Sequence, residues 1–273
     1  MSDGIQLVAI ACEQGSNDSR LAQSIVTFRL LKPAIVALDG PAGSGKSTVG
    51  RQLAALVDFL FFDTGVMYRA VTSVALNRNI DVHDENQVDA LAEAIQIDVL
   101  PPAANETDGR QCTVLVDGED ITNQLRTQQV DKNVSIISAY GVVRRALSAN
   151  QRRISQYYGT GQAEKSGIIM AGRDIGTVVV PEAPLKVYLD ASAEERARRR
   201  YVELRGQGKQ VEYAAILQGI MQRDELDSHR AISPLRPADD AIVLDTSNLS
   251  PEAVVMHILQ LAQTVVPAKQ ATG

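Results

Sequence analysis

The run Gly40-Pro41-Ala42-Gly43-Ser44-Gly45-Lys46-Ser47-Thr48 constrains this chain more than any other, because a G-x-x-x-x-G-K-S pattern here joins two segments of opposite character. Before it, residues 34–39 are apolar on both faces until the closing Asp39, as a central strand of a parallel sheet must be. After it, Val49, Leu53 and Leu56 recur at helical spacing. A glycine-rich turn between a buried strand and an amphipathic helix lets backbone N–H groups face inward around phosphate oxygens, and the helix adds the positive end of its dipole. Lys46 is expected to reach the β and γ phosphates of a nucleotide, and the Ser47 hydroxyl to ligate Mg²⁺. A glycine turn without the Lys-Ser pair and these flanks needs no ligand; with them, the whole of residues 40–48 reads as a nucleotide-phosphate site.

The remaining chain supplies four more buried strands. Residues 60–62, 167–171, 185–190 and 241–245 are short apolar runs, each followed by polar residues and a helical pattern. Five strands alternating with helices predict a doubly wound parallel α/β sheet. Between about 82 and 126 the pattern changes to alternation at 95–100 and 112–116 with an Asp117-Gly118 turn, which predicts a small antiparallel sheet inserted into that fold. Residues 1–32 lack the basic start and apolar run of a signal peptide; with a short strand pattern at 7–11, a weak helical pattern at 20–31 and no clear partner for either, they are expected to be a disordered or loosely packed extension. The domain proper is expected over 33–266, with 267–273 a tail.

Ligands of open α/β sheets collect at the carboxyl ends of the strands. Asp63, Thr64, Tyr68 and Arg69 follow the second strand and are candidates for a second ligand site, although Asp63 and Thr64 could equally cap the helix and Arg69 be solvated. Gly172-Arg173-Asp174-Ile175-Gly176 breaks the next strand in the same way. Ser192-x-x-Glu195 is a capping box, so Ser192 and Asp190 read as helix starters rather than magnesium ligands. Arg196, Arg199 and Arg200 share one exposed face of that helix beside a Gly206-Gln207-Gly208 segment, where they could close over phosphates. Arg223, Asp227 and Arg230 share a face of the helix after it.

With 273 residues and a formal net charge of −6, the chain is not built as a generally basic nucleic-acid or membrane-surface protein. Cys12 and Cys112 are isolated, and His83, His229 and His257 are scattered, so neither a disulfide framework nor a zinc site is expected and a reducing cytosol fits. A GTP-dependent switch would need an Asn/Thr-Lys-x-Asp motif, which is missing.

Taken as an ordered set, residues 40–48, Asp63-Thr64-Gly65 with Tyr68-Arg69, residues 118–122 with Leu125-Arg126-Thr127, residues 172–178 and residues 189–196 resemble the bacterial cytidylate kinases, a family of nucleoside monophosphate kinases. The resemblance spans about 33–263 and implies transfer of phosphate from ATP to CMP or dCMP with Mg²⁺, by a monomer acting on small molecules. It implies that the insertion belongs to the monophosphate-binding region and that residues 192–212 form a helical lid. It places Arg69 and Arg173 on the acceptor phosphate, Thr64, Arg152, Asp174 and Arg230 around the base, and Arg223 and Asp227 at the sugar, with Tyr68 nearby. Lys46, Arg173, Arg196, Arg199 and Arg200 would carry the catalytic charge. Arg144, Arg145 and Arg153 compete with Arg152 for its position, since helix register decides among them. A shikimate or dephospho-coenzyme A kinase is the alternative, against which the insertion and the Gly-Arg-Asp-Ile-Gly block argue.

Overall fold

A computed structural model describes residues 17–230 and 232–266. In chain order its elements begin with α1 (Asn17–Arg29), β1 (Ile35–Asp39), α2 (Lys46–Val57), β2 (Leu60–Asp63), α3 (Gly65–Asn77) and α4 (Glu85–Ala94). There follow β3 (Ile97–Leu100), β4 (Thr113–Val116), β5 (Glu119–Asp120), α5 (Gln128–Ile137), α6 (Gly141–Gly159) and β6 (Ile168–Ala171). The chain closes with β7 (Leu185–Asp190), α7 (Ala193–Gly206), α8 (Tyr213–His229), β8 (Ile242–Asp245) and α9 (Pro251–Val265).

The central sheet has five strands in the order β2-β6-β1-β7-β8, and all four pairings are parallel, as the alternating pattern predicts. Every residue of β1 is buried, which is why its sequence has no polar face and why it takes the middle position. Leu38 pairs with Ala171 on one side and Val187 on the other, so the carboxyl ends of β1, β6 and β7 and the loops that follow them share one edge of the sheet. Apolar layers cover both faces. On one, α3, α4, α6 and the insertion bury Phe62, Met67, Ile97, Leu147 and Tyr158; on the other, α1, α2 and α9 bury Phe28, Leu53, Val57 and Ile258. The insertion is antiparallel, in the order β3-β4-β5, and Arg110 ties its long loop down through Glu106, Asp108 and Asp120. Among the described residues no helix is long and apolar enough to cross a membrane.

The described part of the N-terminal segment departs from the expectation of a loose extension. From Asn17 to Arg29 it is a helix whose Leu21 and Phe28 are buried, with Leu31 beyond it, and the Phe28 ring lies 5.7 Å from that of Phe59. Gln263 Nε2 donates to Ser24 Oγ at 3.0 Å, and Arg29 Nε to the Val57 carbonyl at 3.0 Å. The buried stripe is Leu21, Ser24, Phe28 and Leu31, together with Thr27. With Ser and Thr among its buried positions it gives only a faint apolar period, and of its partners α2 and α9 the second lies at the far end of the described residues. The suggested strand at 7–11 and the tail 267–273 fall outside the described residues.

Candidate active site

The loop after β1 is shaped by backbone that side chains would obstruct. Gly40, Gly43 and Gly45 have φ of 145°, 80° and 95°. A Cβ on Gly40 would lie 2.1 Å from the Leu189 carbonyl oxygen, so the loop can pass the end of β7 only as glycine. Lys46 is buried, and its Nζ donates to the Gly40 and Pro41 carbonyls, both at 2.7 Å, and to Ser44 Oγ at 3.3 Å. Burial, followed by the nearby charge of Arg173, lowers its ammonium well below the ordinary lysine value. Such a group gains most from an incoming anion. Ser47 Oγ donates to Asp63 Oδ2 at 3.0 Å, bringing a hydroxyl and a carboxylate together at the mouth of the loop. The loop opens into a cleft of ≈ 1320 Å³ that Thr48, Arg199, Arg200, Arg223 and Thr246 also border.

The arginines of α7 do not behave alike. Of Arg196, Arg199 and Arg200, only Arg200 is exposed, paired with Glu203 at 2.8 Å. Arg199 is partly buried between Glu195 and Thr246, and hydrogen bonds from Arg198, with Arg199, hold the Glu195 carboxyl down at about 2. Arg196 corrects the expectation of an exposed face: it is buried, donates to the Ala191 carbonyl at 2.9 Å and the Ala42 carbonyl at 3.1 Å, and grips Asp224 of α8 through two bonds of 3.0 and 2.6 Å. It braces the loop against α7 and α8. Ser192 caps α7 by accepting from Glu195 N, as its box predicts.

Near Lys46 lies a second group of charges. Arg173 Nε donates to Asp227 Oδ2 at 2.8 Å, with Arg230 3.5 Å and Arg223 4.0 Å from the same carboxylate. Burial would raise the Asp227 carboxyl, but Arg173, Arg230 and Arg223 hold it below the ordinary value. Arg69 Nη1 donates to Asp131 at 2.6 Å and to the Leu125 carbonyl at 3.0 Å. Thr64 Oγ1 donates to the Ala171 carbonyl at 3.0 Å and makes no cap bond to α3. Tyr68 is partly buried, and the loss of water around its hydroxyl pushes it up to about 12. The Arg144 guanidinium lies over its ring, 5.6 Å from the centre.

Asp174 is buried and accepts from Arg144 Nη2 at 2.8 Å, a pair in which both side chains are almost wholly out of water. Among the described residues Arg144 Nε and Arg230 Nη2 are buried donors without a partner. Arg152 is not part of this group. It bonds the Val179 carbonyl at 2.9 Å and pairs with Glu182 at 2.8 Å on the surface, while Arg144 occupies the place beside Asp174. The reason is register: Arg144 shares the inward face of α6 with Val143, Leu147, Gln151 and Ile154, and Arg152 turns away from it. Sequence reasoning also passed over Asp131, Asp224 and Thr246, whose roles come from contacts across the fold, and it read Asp39 only as a strand end.

A phosphate-cradling loop and an arginine-lined pocket at the same edge of a parallel sheet define a P-loop phosphotransferase that binds nucleotides. The family profile described as Cytidylate kinase matches residues 36–264, and the chain belongs to that family. It is 45% identical over 226 residues to the cytidylate kinase of Carboxydothermus hydrogenoformans, covering 83% of this chain and 96% of the relative. It is 45% identical over 235 residues to that of Herpetosiphon aurantiacus, with 86% and 96% covered. For that of Stutzerimonas stutzeri the identity is 42% over 231 residues, with 84% and 96% covered.

Proposed function

We propose that the chain phosphorylates CMP and dCMP with ATP, releasing ADP and CDP or dCDP. An oxygen of the acceptor phosphate bonds to the γ phosphorus as the bond from that phosphorus to the β-bridging oxygen breaks. Because the nucleophile is already an anion, the protein's task is alignment and charge neutralisation rather than proton removal. The observation that carries the reading is the buried Asp174–Arg144 pair next to Arg173, at the sheet edge that also holds the loop. A carboxylate accepts hydrogen bonds and so suits the exocyclic amino group of cytosine. Arg173 and Arg69 supply guanidinium forks for the acceptor phosphate, Thr64, Tyr68 and Arg230 frame the base, and Arg223 and Asp227 face the sugar.

Residues 40–48 hold the triphosphate, with Lys46 exchanging its carbonyl partners for phosphate oxygens, and Arg199 and Arg200 lie on the lid over the cleft. Mg²⁺ suits the Ser47–Asp63 pair, a hydroxyl and a carboxylate 3.0 Å apart. A divalent ion held there would supply charge neutralisation to the phosphates. The acidic charge of −6 favours small-molecule substrates over nucleic acid, and the protein works as a cytoplasmic monomer. The test is ADP release by the purified protein with ATP and a panel of CMP, dCMP, UMP, AMP, shikimate and dephospho-coenzyme A. CMP and dCMP should lead. Preferred use of shikimate or dephospho-coenzyme A would overturn the assignment.

A further inference from the structure

The turn that carries Arg173 and Asp174 is attached to the sheet through a residue outside both ligand sites. Asp39, the last residue of β1, is buried, and its Oδ1 accepts from Ile175 N at 2.9 Å while Oδ2 accepts from Gly176 N at 2.8 Å. Apart from the Val179 carbonyl, which accepts from Arg152 Nη1 at the turn's far end, the backbone of residues 175–179 bonds within the turn, with Val178 and Val179 donating to the Asp174 carbonyl and Val180 to that of Ile175. The only other backbone tie from its start to β1 among the described residues is Gly172 N to the Leu38 carbonyl at 3.0 Å. The phosphate loop, which begins one residue after Asp39, has anchors of its own in Lys46, in Arg196 on Ala42, and in Thr246 on the Ser44 carbonyl.

We propose that Asp39 is a positioning residue for the acceptor: its two carboxylate oxygens clamp the Ile175–Gly176 backbone and thereby set Arg173 and Asp174 against the phosphate loop. The inference rests on the proposed CMP kinase reading for its kinetic consequence. A carboxylate is the side chain that can accept both N–H groups at once. An apolar or singly accepting residue leaves one buried donor unpaired, and the turn is then free to shift. Holding a charged group in the core is unfavourable: burial pushes the Asp39 carboxyl up to about 6, against the lowering effect of the two amides and of Lys46, with Asp174 adding to the rise. The Lys186 stem packs beside Gly176, while its ammonium pairs with Asp240. Keeping the carboxylate there despite that penalty matches a role in geometry.

The experiment compares the parent with Asp39→Asn. An amide presents an N–H₂ where the second carboxylate oxygen was, so one clamp bond is replaced by a donor facing a donor. The KM for CMP should rise by about tenfold to a hundredfold, the scale of loss for a displaced positioning group. The ATP Kd should stay within about twofold, because the loop's anchors are untouched. Hydrogen exchange at the Ile175 and Gly176 amides, measured without substrate, should quicken. An unchanged CMP KM, or an equal loss of ATP affinity, overturns the proposal. If Asp39→Asn does not fold, Asp39→Ser replaces it, and failure of both to fold makes Asp39 a folding residue and overturns the positioning role. A parent that does not use CMP refutes the kinase reading, and the amide exchange then still decides whether Asp39 holds the turn.

Discussion

Replacing Asp174 by Asn tests base choice at its most exposed point. The substitution keeps the shape of the side chain and removes the charge that faces Arg144 Nη2 at 2.8 Å. Because both partners are buried, with side chains 4% and 9% exposed, water cannot take over the lost interaction. Leaving one member of such a pair alone costs about 3–5 kcal/mol, so the variant should be measurably less stable in denaturant. Base selectivity moves independently of that loss. With CMP the parent carboxylate meets an amino donor, whereas with UMP it meets a carbonyl, and an unpaired buried acceptor costs about 1–3 kcal/mol. An amide can donate to uracil, so the CMP:UMP ratio of kcat/KM should fall by about 5- to 150-fold in Asp174→Asn. The assay is steady-state ADP release with each nucleotide for parent and variant. Equal losses for both substrates would refute the base-reading role and leave Asp174 as a partner that merely orients Arg144.

Lys46→Met removes a phosphate-neutralising charge, and turnover should fall about 10²- to 10³-fold with the fold retained by circular dichroism; near-normal turnover would contradict the loop's role. Phe28→Ala, which opens a space opposite Phe59, should lower unfolding free energy by about 3–5 kcal/mol in urea titration, and a change near zero would mean that α1 is not part of the core. Arg152→Ala should leave the CMP KM within about twofold because its partner is a surface glutamate, while Arg144→Ala should raise it at least about tenfold; the reverse order would return Arg152 to the site. The Asp39 carboxyl stands at about 6 in the fold against an ordinary 3.8, so its contribution to stability is complete below 3.8 and is lost as pH rises through 6. That displacement corresponds to about 3 kcal/mol, so the Tm of Asp39→Asn relative to the parent should climb between pH 4 and pH 7, and a constant difference would contradict the burial effect.

Local chemistry makes the phosphate loop and the succession of strands and helices legible in the sequence alone. A lysine and serine after a glycine turn, an apolar run before it, and a capping box at Ser192 act through neighbours a few residues away, which a linear reading sees. The insertion is visible for the same reason, since its period of two is local. What only the tertiary structure decided is which long side chain reaches a given point. Arg144 and Arg152 sit eight residues apart on one helix, and a difference in facing puts one on buried Asp174 and the other on a surface glutamate. Arg196 looked solvent-facing by spacing, yet α8 brings Asp224 over it and the loop brings the Ala42 carbonyl under it. The two bonds that Asp39 accepts from residues 136 and 137 positions away, and the burial of α1 against a helix from the other end of the chain, depend on parallel strands sharing one carboxyl edge and on both faces of the sheet needing cover. Those conditions belong to the assembled sheet and to no short stretch of it.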